Sequence, residues 1–98
     1  MMAKIWVRDE PGRGPYGSHF IDSVPDLREE HGRGDGFGSG NWNDEIQYVS
    51  VESGVWQLFE HVNYQGLGSA HIGPGAEGNC TDFGFPMRQA SSILKISD

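Results

Sequence analysis

Residues 59–66 read FEHVNYQG: an aromatic, a second aromatic five positions later, and a glycine two beyond that. Glycine reaches positive φ without the penalty a β-carbon brings, so Gly66 marks a point where the chain can fold sharply back. On either side, Val55 to Phe59 and Gly68 to Ile72 alternate apolar with polar side chains. That is the period of a strand with one wet face, and a β-hairpin is the minimum reading of the stretch.

Working outward, the same alternation returns at Ala3 to Val7, Glu45 to Val51 and Ser91 to Ile96. The chain has 98 residues, enough for one modest core. Its 15 glycines and 5 prolines are spread along the length, as short strands joined by tight turns require. The exception to the strand pattern is SVPDLREEHG, residues 23–32. There Ser23 with Asp26 makes a capping-box-like start and Gly32 a stop, which predicts one short helix. After it GRGDGFGSGN places glycine at every second position and reads as a long surface connection.

The chain also repeats itself. IQYVSV (Ile46 to Val51) and SSILKI (Ser91 to Ile96) each follow a polar turn, NWNDE and PMRQA, and each closes one half of the sequence. With this repeat in place, the aromatic, aromatic, glycine spacing of Phe59, Tyr64 and Gly66 resembles the Greek-key signature of the βγ-crystallins, and LFEHVNYQGLGSAHIGPG is similar to a microbial member of that family. The first half is the poorer copy: PGRGP intervenes before Tyr16, and Gly17 follows Tyr16 directly. The resemblance implies an all-β fold, two Greek keys forming a βγ-crystallin sandwich, with the short helix in the first. One domain over residues 3–97 is expected, divided into keys at 3–51 and 52–97, each key placing its third strand in the partner sheet.

Charge points to cations. Fourteen Asp and Glu against seven Lys and Arg give a formal net charge of -7, which disfavours nucleic acid and anionic membranes as partners and suits a divalent cation. The resemblance implies calcium, through a motif of two Asn/Asp residues, two variable residues, a Ser/Thr and a Ser in each key. This sequence splits the motif between its halves. Asn43, Asp44 and Glu45 supply the acidic start in the first key, where Gln47 and Tyr48 replace the hydroxyls; Ser91 and Ser92 supply the hydroxyls in the second, where Met87 and Arg88 replace the acids. Since the crossing connections of the family run antiparallel, Asp44 is expected beside Ser91, with a strand carbonyl near Glu60 as third component. The predicted metal residues are therefore Asp44, Ser91, Asn43, Glu45 and Glu60, holding one calcium ion. The second position, built on Arg88 and Gln47 near Arg8, is expected to be lost, with Arg88 filling its pocket against carbonyls, Asp9 or Glu10. Without a metal, NWNDE reads as an Asx turn feeding a strand.

Other chemistry finds less support. His19, His31, His61 and His71 are scattered without ligand or catalytic spacing, and no nucleophile-elbow pattern is present, so no enzyme is expected. The alternating glycines lack the strand-then-helix setting of a phosphate loop, and Arg33-Gly34-Asp35 reads as coincidence in a glycine-rich segment. Cys80, the single cysteine, is expected as a small buried side chain. No apolar run approaches membrane-spanning length; the compartment stays open with cytoplasm as the default expectation. A monomer is expected. A calcium-stabilised structural module and a binding module that engages another protein through PGRGP or the glycine-rich loop both remain open, as does a metal-independent structural crystallin.

Overall fold

A computed structural model describes residues 2–30 and 40–98. His31, the predicted helix stop at Gly32, nearly all of the glycine-rich connection and Arg33-Gly34-Asp35 lie outside the described residues. The strands are β1 (Lys4–Arg8), β2 (Ser18–Phe20), β3 (Tyr48–Ser53), β4 (Val55–His61), β5 (Gln65–Gly68), β6 (Glu77–Asn79) and β7 (Ser92–Ser97). They form two antiparallel sheets, ordered β2-β1-β3-β6 and β5-β4-β7. β6, from the second half, completes the first sheet. In exchange, Val24 of the first half bridges Ile93 on β7, with hydrogen bonds of 2.8 and 3.0 Å. The topology is thus that of two Greek keys, the second lending β6 to the partner sheet and the first lending the single Val24 bridge.

The alternation read from sequence buries Ile5 and Val7 on β1, Val49 and Val51 on β3, and Trp56 and Leu58 on β4 between the sheets. Trp42, Leu27, Ile46, Ile72, Phe85 and Ile93 fill the rest of that core. A fully buried aliphatic or aromatic side chain contributes about 1.5–3 kcal/mol through removal from water, so this interface is the main source of cohesion.

Three expectations change. The strand expected from Glu45 begins at Tyr48, because Asp44 takes φ 58° and turns the chain before it extends. The strand expected over Gly68 to Ile72 ends at Gly68 and resumes as a single Trp56–Ile72 bridge. Between them the Ser69 hydroxyl accepts from the Leu58 amide at 3.0 Å, and the register moves by one residue between the Phe59–Gly68 and Trp56–Ile72 pairs. The predicted helix is a 3-10 turn, Leu27–Glu29, capped by Asp26 rather than Ser23: Asp26 Oδ1 accepts from the Arg28 amide at 3.0 Å. The Ser23 hydroxyl instead accepts from the Lys95 amide on β7 at 2.9 Å.

In the decisive stretch, Asn63 and Tyr64 both take positive φ, 58° and 61°, and Gly66 follows at 79°. A β-carbon on Gly66 would come within 2.5 Å of the His61 ring and 3.1 Å of the Glu60 carboxylate, so space as well as φ demands glycine there. Phe59 stands edge-on to Tyr64, centroids 6.2 Å apart, and covers Gly68, whose β-carbon would meet its ring at 3.0 Å.

Candidate metal centre

Two connections cross between the sheets, and their hydrogen bonds repeat. The Asp44 amide donates to the Ala90 carbonyl at 2.9 Å, and the Arg88 amide to the Ile46 carbonyl at 3.0 Å. The Ser91 amide donates to the Phe59 carbonyl at 2.9 Å, and the Gln47 amide to the Arg8 carbonyl at 2.8 Å. The Ser91 and Gln47 carbonyls accept from the amides of Leu27 and Cys80, each at 2.9 Å. A pseudo-two-fold axis therefore matches Asp44 with Arg88, Ser91 with Gln47, and Phe59 with Arg8. Asp44 and Arg88 also share the left-handed conformation, φ 58° and 61°. Aspartate visits that region with less strain than arginine, because its short carboxylate bonds locally.

At one end, residue 44 lies beside Ala90–Ser91, and Ser91 lies beside Phe59. Asp44 is exposed. Asn43 Nδ2 donates to its carboxylate at 3.2 Å, and the Asn43 amide donates to Asn41 Oδ1 at 2.9 Å, the Asx turn that the amides alone favour. Glu60 follows the Phe59 carbonyl, and its carboxylate faces His61 Nε2 at 3.2 Å. Ser92, fully buried, donates to the His61 carbonyl at 2.7 Å and accepts from the Tyr64 amide at 3.1 Å, tying β7 to the decisive turn. Of the five predicted metal residues, Asp44, Asn43, Ser91 and Glu60 come from segments joined directly by backbone bonds at this end. Glu45 turns the other way: its carboxylate is 3.5 Å from Arg88 Nη2.

The related end is built differently. Gln47 Nε2 donates to the Asp9 carbonyl at 2.7 Å, and Asp9 is the counterpart of Glu60. Arg88 does not fill a pocket against Glu10: its side chain is 58 % exposed and pairs with Glu45. Glu10 is bound instead by Arg8 Nη2, at 3.1 Å. Arg8 is 3 % exposed and occupies the place Phe59 holds in the other half. Its guanidinium donates to the Tyr16 carbonyl at 2.9 Å and to the Gly12 carbonyl, and it lies where a Gly14 β-carbon would be. The PGRGP irregularity is thus the loop that wraps an internal cation. Sequence reading placed Arg8 and Gln47 at this position but missed that the Arg8 guanidinium is buried and that the Gln47 carboxamide bonds Asp9; the clue was an arginine at the end of strand one, followed by glycines that leave carbonyls accessible.

Two further groups complete the electrostatics. The Arg13 guanidinium binds the Glu77 carboxylate, which also accepts from Tyr48 Oη at 2.7 Å; together they hold Glu77 below the usual carboxylate range. Burial pushes the Cys80 thiol up to about 12, and Sγ donates to the Ile46 carbonyl at 3.4 Å, so the thiol is inert packing.

Among the described residues no three His, Cys, Asp or Glu side chains gather as a metal cluster. A calcium ion needs no such cluster, since it takes neutral carbonyl, amide and hydroxyl oxygens alongside carboxylate. The oxygens of Asp44, Ser91 and the Glu60 backbone fit that preference. At the related end an arginine stands for the acid and an amide donor already bonds the carbonyl, which does not fit it.

As a sequence, the chain matches no family model and no curated protein. As a fold, it is similar to a βγ-crystallin from an archaeon, with TM-score 0.75 and 27 % identity, covering 98 % of this chain and all of that one. A βγ-crystallin from Ciona intestinalis gives 0.74 and 26 %, covering 94 % and 98 % of the two chains. The fifth crystallin domain of the non-lens protein Absent in melanoma 1 shares the fold at 0.70 and 15 % identity, over 99 % and 94 %. Two antiparallel sheets, joined by β6 in one direction and the Val24 bridge in the other, define a double Greek-key sandwich of the crystallin type. The chain has the βγ-crystallin fold over nearly its whole length.

Proposed function

We propose that this crystallin-type domain is a non-catalytic, monomeric structural module that binds one calcium ion at the end where Asp44 meets Ala90–Ser91, and that the ion stabilises the fold. The observation that carries the reading is the pair of bonds from Asp44 to Ala90 and from Ser91 to Phe59, which draw an acidic turn, a hydroxyl and a strand end together from three separate stretches of sequence. An ion there would clamp both crossing connections. Ligation by a single aspartate and neutral oxygens belongs toward the weak end of the roughly 10⁻⁷ to 10⁻³ M range of calcium modules.

A calorimetric calcium titration of chelator-stripped protein, paired with thermal melts, tests this. One ion per chain is expected. At a hundredfold excess over Kd, the added stability is about 2.7 kcal/mol, which raises Tm by roughly 11–22 °C. Absence of binding heat together with an unchanged Tm, or two equivalent sites, contradicts the proposal.

A second reading, a protein-binding module with calcium incidental, is favoured by the first loop: Tyr16 is 61 % exposed at its end while buried Arg8 fixes the backbone beneath. Only the calcium reading predicts a calcium-dependent Tm with no partner added.

A further inference from the structure

The two ends of the crossing are related by symmetry yet built from opposite chemistry, and the contrast lies in one bond. At the first end Ser91 bonds through its amide to the Phe59 carbonyl, one residue before Glu60, and its hydroxyl can offer oxygen to a cation. At the second end Asp9, the counterpart of Glu60, is met by Gln47, whose Nε2 donates to the Asp9 carbonyl at 2.7 Å. A carboxamide hydrogen presents positive charge to that carbonyl, as a bound cation would, and a carbonyl so bonded has given one of its two lone pairs to the donor. Opposite it, Arg88 replaces the aspartate and turns to Glu45. Arginine offers no ligand oxygen and repels a dication.

We infer that the Gln47 carboxamide is a built-in surrogate for the second calcium ion: it closes that position and holds the first crossing without metal. The part that concerns metal rests on the calcium reading above; the part that concerns Gln47 does not. The surrogate makes this half of the molecule indifferent to chelation, while the Asp44 end responds to it. Gln47 thereby sets the stoichiometry, and the calcium response of the fold is confined to one side.

Two variants test this in the full chain. Gln47→Ala, melted in chelator, removes the donor and leaves the part-buried Asp9 carbonyl without it; Tm is expected to fall by about 4 °C or more. A melt identical to that of the unaltered protein overturns the surrogate whether or not calcium binds elsewhere. Gln47→Ser combined with Arg88→Asp restores a hydroxyl and an acid. Titrated with calcium chloride, it is expected to take up one more ion per chain than the unaltered protein, and to gain more Tm from calcium. Equal stoichiometry in the two proteins overturns the claim that these side chains close the position. If the unaltered protein binds no calcium, the function proposed above fails, while the chelator melt of Gln47→Ala still decides the surrogate.

Discussion

At the scale of single residues, what a side chain contributes here depends on whether its polar atom is matched. Trp42 and Trp56 are both fully buried, but Trp56 Nε1 donates to the Ser53 carbonyl at 3.0 Å whereas Trp42 Nε1 finds no acceptor among the described residues. Trp→Phe at either position removes similar volume, and only at Trp56 does it also break a hydrogen bond and strand a carbonyl. Denaturant unfolding should therefore show Trp56→Phe to be the more destabilising change, by about 1 kcal/mol. Equal losses would mean that matching is irrelevant in this core. The same logic explains which parts of the site were legible. Asp44 and Ser91 were singled out because acids and hydroxyls are distinctive at motif spacing, and the fold brings their segments together. The roles of Arg8 and Gln47 were not legible, because a charge or carboxamide read from sequence is by default solvated, and only the fold reveals that Arg8 is buried among carbonyls and that Gln47 reaches Asp9.

At the scale of elements, strands were readable where alternation was backed by burial and obscure where side chains took over backbone bonding. β1 and β4 follow their apolar period, as the buried Ile5, Val7, Trp56 and Leu58 show. β6 was not foreseen, since its residues Glu77, Gly78 and Asn79 have low strand propensity and are held by pairing with β3. The expected continuation of β5 failed for one identifiable reason, the Ser69 hydroxyl that accepts from the buried Leu58 amide. Ser69→Ala leaves that amide unmatched at a cost of about 1–3 kcal/mol, so Tm should drop by roughly 4 °C or more. An unaltered melt would show that the register offset does not depend on this bond. The helix expectation erred on its cap: Ser23 is engaged with β7, leaving Asp26 to start a turn too short to become a helix.

At the scale of the whole molecule, surface charge and the crossing connections set how stability responds to conditions. Arg13 holds Glu77, Arg28 holds Asp26, and Lys95 holds Asp98 below the ordinary carboxylate range. A carboxyl depressed by folding contributes above its unfolded value, and that contribution is lost as pH falls through the folded one. Melts in chelator should therefore give a Tm that declines once pH drops below about 4, less steeply in high salt because these groups are exposed. A Tm that rises on acidification would contradict this. The account's central claim, however, is that residues from the two halves serve one ion, and calcium titration of Asp44→Ala and Ser91→Ala beside the unaltered protein tests it most directly. Both variants should keep their chelator melts and lose affinity, Asp44→Ala more than Ser91→Ala because it removes the charge. If Ser91→Ala binds calcium as tightly as the unaltered protein while Asp44→Ala does not bind, the acidic turn holds the ion alone and the shared site is wrong.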